Sequence, residues 1–290
     1  MTILNAEKVY GEAPIFKEPR IIGDWVLWIE QRPKENGRTT ALIRPWKNKN
    51  ALPQELTPYP INLRTKFHGY GGAPLTAIQK GSDLLLTWID SSDNCLWMRY
   101  WSFGNYNEKL SSLQLTPEHK PICISKQHNY FLAGGVIDIE RNIWIGLMEN
   151  RAGDHIVSYS LEETYQKPKF IYSSQDLLGY LALNSKDQKL SWIEWKKTVM
   201  PWDMNELKVA KLIEKGNIEN VITFNSKYFK FKGPISFFNP VWSDKGDLYV
   251  AEDSSGWWNI TQIKTDINNI SSTVYQNKWT IKAEVAFPQW

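Results

Sequence analysis

Leu190-Ser191-Trp192-Ile193-Glu194 is an apolar run that closes on an acid, and the chain writes that pattern five times. The other copies are Val26-Leu27-Trp28-Ile29-Glu30, Leu85-Leu86-Thr87-Trp88-Ile89-Asp90, Ile143-Trp144-Ile145-Gly146-Leu147-Met148-Glu149 and Leu248-Tyr249-Val250-Ala251-Glu252-Asp253. From acid to acid (30, 90, 149, 194, 253) the steps are 60, 59, 45 and 59 residues. Runs this short and rich in β-branched and aromatic residues are strands, and a fixed period between them signals a repeat architecture.

Outward from each copy the pattern continues. A loop follows the acid, and then a second strand, as in Cys95-Leu96-Trp97-Met98-Arg99-Tyr100 or Trp258-Asn259-Ile260-Thr261-Gln262-Ile263. A further strand precedes each copy across a polar turn such as Glu140-Arg141-Asn142 or Ser185-Lys186-Asp187-Gln188-Lys189, and usually another follows. Four short strands in a meander make one blade of a β-propeller. The spacing predicts an all-β chain with five four-stranded blades at 10–58, 59–116, 117–174, 175–225 and 226–281, and the start of a sixth at 282–290. The innermost strands fall near 14–22, 72–79, 133–139, 179–184 and 237–242. A sandwich or barrel of about twenty strands needs no repeated unit, so the recurrent acid argues against it. One helical turn is expected near Ser174 to Leu178.

Composition bounds the function. An apolar fraction of 42% in 290 residues supports a large core and argues against disorder. A net charge of +3, with cations spread along the chain, gives no nucleic-acid footprint. Cys95 and Cys123 make neither a disulfide framework nor a metal site. No apolar run reaches membrane-spanning length, and Met1 to Pro14 holds no signal-peptide core, so a cytoplasmic home without membrane contact is expected. His68, His119, His128 and His155 lack metal-ligand spacing and read mainly as solvated side chains. No phosphate loop is present, and no cofactor is expected.

Alternating strand direction puts the loop between the second and third strands on the same face as the connection between blades. The distinctive residues of the chain fall in those segments: Arg32 to Arg38, Arg64-Thr65-Lys66-Phe67-His68-Gly69-Tyr70-Gly71-Gly72, Met200-Pro201-Trp202-Asp203 and Ser254-Ser255-Gly256-Trp257. Loop aromatics and arginines are what interfaces use. Arg64, Tyr70, Trp202, Asp203 and Trp257 are therefore the candidate residues for domain contact or substrate gating. The competing reading is that the tryptophans plug gaps between blades.

These segments resemble a known family. Arg32-Pro33 with Gly37-Arg38, Leu56-Thr57-Pro58, Asn62-Leu63-Arg64-Thr65 before Tyr70-Gly71-Gly72, and Trp192-Ile193-Glu194-Trp195 stand in the order of the N-terminal propeller of the prolyl oligopeptidase family. So do Met200-Pro201-Trp202-Asp203 with Glu206-Leu207, Gly256-Trp257-Trp258-Asn259, and Ala283-Glu284 with Pro288-Gln289-Trp290. The resemblance is to the branch of the dipeptidyl aminopeptidases and acylaminoacyl peptidases. Departures are Gly69 where that family usually has an acid, Ser254 where it has Arg, and Val285-Ala286 where it has Phe-Gly.

The resemblance implies a propeller of about seven blades, so that five form an open arc with an uncovered apolar face at each end. It also implies an α/β-hydrolase partner domain, whose Ser-His-Asp triad performs acyl transfer while the propeller restricts entry to short peptides or small acyl substrates. The nucleophile elbow G-x-S-x-G does not occur in these residues; Gly233-Pro234-Ile235-Ser236-Phe237 lacks the closing glycine. No nucleophile–base pair is expected, so the chain alone is expected to be inactive. Two other readings are a free-standing binding propeller and a five-bladed carbohydrate-processing enzyme. The latter needs paired carboxylates, whereas the inner strands at blades two to five offer only Asp138.

Overall fold

The computed structural model describes residues 13–48, 50–103, 115–126, 129–227, 232–264 and 274–277. They form five antiparallel sheets in strict chain order, the arrangement of a five-bladed β-propeller. Blade 1 holds β1 (Ile15–Ile22), β2 (Trp25–Arg32), β3 (Arg38–Pro45) and β4 (Gln54–Glu55). Blade 2 holds β5 (Leu75–Lys80), β6 (Asp83–Ile89), β7 (Leu96–Phe103) and β8 (Leu115–Pro117), with β9 (Ile122–Cys123) also paired to β7. Blade 3 holds β10 (Phe131–Asp138), β11 (Ile143–Asn150), β12 (Gly153–Ser160) and β13 (Lys169–Ser174). Blade 4 holds β14 (Leu177–Asn184), β15 (Lys189–Trp195), β16 (Glu206–Leu212) and β17 (Ile218–Phe224). Blade 5 holds β18 (Phe237–Trp242), β19 (Leu248–Glu252), β20 (Asn259–Lys264) and β21 (Val274–Asn277).

The five first strands lie where the repeat puts them. The expected helical turn near Ser174 is absent: β13 runs to Ser174 and β14 starts at Leu177, because Asp154 Oδ2 accepts the Leu178 amide and draws the chain straight into the next blade. Among the described residues, helical structure is limited to three single 3₁₀ turns. The segment 282–290 and His128 lie outside the described residues.

Two compact units share the chain, Met1–Ala133 with Glu163–Lys167, and Gly134–Glu162 with Pro168–Trp290. In unit one, alternation along β2 buries Trp25, Leu27 and Ile29 against Ile43, Leu75, Leu86 and Trp88. Each buried Leu or Ile contributes about 1.5–3 kcal/mol, which is why the period-two pattern dominates the sequence. The opposite side of blade 1 carries a groove of about 530 Å³ bounded by Phe16, Val26, Trp28 and Pro53. In unit two, Ile193, Leu207, Val209 and Phe224 of blade 4 pack with Phe237 and Val250 of blade 5. Trp242 Nε1 donates to Ser191 Oγ at 3.1 Å and fastens the same two blades.

The first strand of three blades breaks its ladder at one place. Register shifts occur between Lys17 and Arg20, Gly179 and Ala182, and Phe238 and Val241. There Glu18, Tyr180 and Asn239 take φ of 51°, 55° and 51°, and β10 carries Gly134 at 60°. β5 pairs without a shift. A left-handed non-glycine residue costs on the order of 1–3 kcal/mol and persists only where the surroundings over-determine it. Such bulges re-aim side chains and bend the strand.

The recurrent acid has a local task. Asp90 Oδ1 accepts the Ser92 amide at 2.9 Å, and Glu252 Oε2 accepts the Ser254 amide at 2.7 Å. Glu30 instead accepts Arg32 Nε at 2.8 Å, and Glu194 accepts the Tyr172 and Ser174 hydroxyls at 2.9 and 2.5 Å. In blades 2 and 5 the acid binds the loop that leaves strand two, in blade 1 it binds Arg32 at the end of its own strand, and in blade 4 it binds hydroxyls of the preceding blade.

Candidate functional site

The loop after strand two and the connection between blades are stitched by one recurring bond. The Thr39 amide donates to Asn62 Oδ1 and the Leu96 amide to Ser125 Oγ, both at 2.9 Å. The Leu178 amide donates to Asp154 Oδ2 and the Phe237 amide to Asn205 Oδ1, both at 2.8 Å. In blades 1 and 2 the side chain sits on the connection; in blades 3 and 4 it sits at the start of strand three. Either way a buried backbone amide at a strand end gains a partner, as it must.

In unit one this stitching sets the connection from Leu56 to Pro74. Arg38 is buried, and its Nη1 donates to the carbonyls of Thr57 and Ile61 at 3.0 and 3.1 Å while Nη2 meets Glu55 at 2.6 Å. Arg32 joins Glu30, Glu35 and Glu55. The Arg38 hydrogen bond holds the Glu35 carboxyl below its usual range. Thr57 Oγ1 accepts the Ala41 amide at 2.8 Å. Arg32, Arg38 and Thr57 thus shape the loop rather than meet a ligand. Beyond them the Leu63 amide donates to Thr39 O and the Arg64 amide to Ile89 O, so this stretch bridges the ends of blades 1 and 2.

That placement lines a cavity of about 310 Å³ with Lys17, Glu18, Gln31, Thr39, Arg64 and Tyr70. Tyr70 follows a 3₁₀ turn, Phe67–Gly69, and is 98% exposed. Gly69 holds φ of 75°, and a Cβ there would meet nothing within 4 Å. Glu18, in the strained bulge, has its carboxyl pushed up by burial, against the Arg20 guanidinium that binds it at 2.7 Å.

In unit two, Met200 O accepts the Asp203 and Met204 amides and makes a tight turn with Trp202 and Asp203 at its tip. Asn205 holds the turn, donating from Nδ2 to Pro201 O at 2.7 Å and to Phe237 O at 2.9 Å. In blade 5, Asn259 Nδ2 donates to Ser255 Oγ and Trp257 O, at 3.1 and 3.0 Å. Asp253 Oδ1 accepts the Ser236 amide at 2.8 Å. Both turns are therefore tied to the 235–237 segment, which puts Trp202 and Trp257 at the same end of unit two. Their exposures are 47% and 40%, and Asp203 is exposed too.

The fully buried tryptophans are different ones, Trp88, Trp144 and Trp192, all on second strands. The structure thus brings Arg64 together with Tyr70 and Trp202 together with Trp257. A second cavity of about 320 Å³ lies beside the blade 4 turn, lined by Met204, Asn205, Glu194 and Glu206. Its acids are satisfied: Glu206 meets Lys208 at 2.7 Å and Asn225 Nδ2 at 3.1 Å.

No family model matches the sequence, and no curated protein does. Solved structures match over the whole chain. A puromycin-hydrolyzing peptidase of Mycobacterium tuberculosis superposes with a TM-score of 0.76 at 24% identity, over 100% of this chain and 41% of that one. Puromycin hydrolase superposes with 0.77 at 19% identity, over 100% and 43%. Prolyl oligopeptidase B of Galerina marginata gives 0.51 at 10%, over 92% and 37%. What these structures share with this chain is the propeller fold. This chain spans about two fifths of the length of the structures it matches.

Two sequence expectations about chemistry need correcting. A serine and a histidine do meet: His155 Nδ1 lies 2.8 Å from Ser173 Oγ, and Nε2 lies 3.2 Å from Asn150 Oδ1. Asn150 Oδ1 also accepts the Ala152 amide, which identifies it as the carbonyl oxygen, so Nε2 carries the proton and Nδ1 accepts from Ser173. His155 is buried and not solvated, and burial lowers its pKa against the pull of Asp154. The strand pairing of His155 with Ser173 makes this contact, and none of the three cavities described above is lined by either residue. Asp138 is fully buried and paired with Arg141 at 2.7 Å. The first-strand carboxylate that does reach a cavity is Glu18 of blade 1, signalled in sequence only by its place in a polar break, Lys17-Glu18-Pro19-Arg20.

Proposed function

We propose that this chain is the propeller part of a serine peptidase or esterase of the prolyl oligopeptidase family, acting in the cytoplasm. In this reading the α/β-hydrolase domain that supplies the Ser-His-Asp triad is carried outside these 290 residues. The loop ends bearing Arg64, Tyr70, Trp202, Asp203 and Trp257 face it and admit only short peptides or small acyl substrates. One observation carries the reading: the whole chain superposes on about two fifths of a puromycin-hydrolyzing peptidase. Exposed tryptophans at 47% and 40% on tied-down turns support it, since rigid, half-exposed aromatics are the usual anchors of an interface.

Chemically, the propeller would hold no reacting group. It would exclude folded proteins by size and leave transition-state stabilisation to the partner domain. Sequencing the genomic DNA beyond the Trp290 codon tests this. An in-frame or adjacent reading frame with G-x-S-x-G is expected; co-expression of that domain with this chain should then yield hydrolysis of aminoacyl or acyl ester substrates. A neighbourhood with no hydrolase, or a hydrolase domain indifferent to this chain, would leave a free-standing binding propeller.

A further inference from the structure

We propose that the cavity between the loop ends of blades 1 and 2 is a carboxylate-binding subsite for short peptides, with Arg64 as its principal ligand-binding residue. The peptide assignment rests on the reading of this loop end as substrate-facing; the carboxylate assignment rests on the cavity itself. Two cations line it, Lys17 and Arg64. Among the described residues neither makes an ion pair with a protein carboxylate. The one acid in the lining, Glu18, is already bound by Arg20 at 2.7 Å.

The other arginines of the same loop system show what an occupied guanidinium looks like here. Arg38 meets Glu35, Glu55 and two carbonyls, and Arg32 meets three carboxylates. Arg64 is exposed at the cavity, on a backbone pinned through its amide to Ile89 O at 3.3 Å. A guanidinium presents two parallel donors, the geometry that a carboxylate accepts. Thr39 and Gln31 add neutral donors to the lining, and Tyr70 offers an exposed ring at the rim. A volume of about 310 Å³ is at the small end for ligand sites, room for one or two residues. A carboxylate reaches such a site either as a peptide's C-terminus or as an Asp or Glu side chain.

The test uses the full 290-residue chain and isothermal titration at low salt. The probes are N-acetyl-Ala-Ala with a free carboxylate, the same peptide as its C-terminal amide, and N-acetyl-Ala-Asp amide. At least one of the two carboxylate peptides should bind about tenfold or more tightly than the neutral amide, and which one does so identifies the source of the group. Arg64→Gln should remove that preference, and Lys17→Gln should weaken it while leaving the unfolding transition in place. Rising ionic strength should weaken binding in parallel. Equal binding of all three peptides, a preference that survives Arg64→Gln, or acetate or phosphate binding as tightly as the peptides would overturn the proposal. Carboxylate binding by this chain with no hydrolase in its neighbourhood would sink the gating reading and leave the subsite standing. A working hydrolase complex that ignores Arg64→Gln and the peptide terminus would do the reverse.

Discussion

Two tryptophans of blade 4 sit in opposite environments. Trp192, on β15, is fully buried with its ring 5.0 Å from that of Tyr172 of blade 3. Trp202, at the tip of the turn between β15 and β16, is 47% exposed above a turn held by Asn205. The same residue type serves as filler between blades in one place and as presented surface in the other. Burial follows from strand position, where every second side chain must face a neighbouring sheet. Exposure follows from a turn whose backbone is satisfied without the side chain.

The largest effect should come from breaking the filler. Trp192→Ala should lower unfolding free energy by about 3–5 kcal/mol in a urea titration, through lost burial and the cavity left behind. A loss under about 1 kcal/mol would erase the distinction between the two classes. Next comes the clamp that holds the presented turn. Asn205→Ala removes two hydrogen bonds to the buried Phe237 backbone and should cost about 1–3 kcal/mol, with faster amide exchange at 200–205 as the local readout.

A smaller, pH-dependent effect should come from His155. Its folded pKa lies below the ordinary value near 6.5, so between the two the unfolded chain binds more protons. The contribution is fully present above about pH 7 and is lost as pH falls through the folded pKa. Stability of the native chain should therefore decline on acidification, and His155→Gln should flatten that slope; an unchanged slope would show that other groups carry it. The smallest effect should come from the presented side chains. Trp202→Ser and Trp257→Ser should each change stability by no more than about 0.5 kcal/mol, the usual range for surface sites. Yet each should cut the affinity of this chain for the proposed hydrolase domain by tenfold or more, the loss typical of a hot-spot aromatic.

The buried thiols set a chemical counterpart to this comparison. Cys95 and Cys123 are both buried, and burial pushes the Cys123 thiol up to about 12. Native protein at pH 8 should therefore resist alkylation of Cys123, whereas urea-unfolded protein should react at once. Rapid labelling of the native chain would place the region around β9 among the readily opening parts of blade 2.

Strand order, blade number and the position of the five first strands could be read from sequence because their causes are local. Alternation and polar turns act over a few residues, and the acid-ended strand repeats them five times. The same local reasoning placed Arg38 and Arg64 in loops of one face and singled out Arg64; the structure makes Arg38 buried scaffold and Arg64 exposed lining. Glu35, three residues from Arg38, supplies one local partner. The rest of the difference lies in Glu55, Thr57 and Ile61, which meet Arg38 from 17 to 23 residues away.

What the sequence determined by itself is thus the repeat: where strands start, which side of each is apolar, and where an acid ends the second. Tertiary structure alone decided which polar side chains are spent. It placed the left-handed bulge at Glu18, brought His155 against Ser173 across a strand pair, and left Arg64 lining a cavity without an ion pair to a carboxylate among the described residues. Each of these depends on partners distant in sequence, and a hydrogen bond or ion pair is satisfied by position in space, which residue spacing along a chain does not encode.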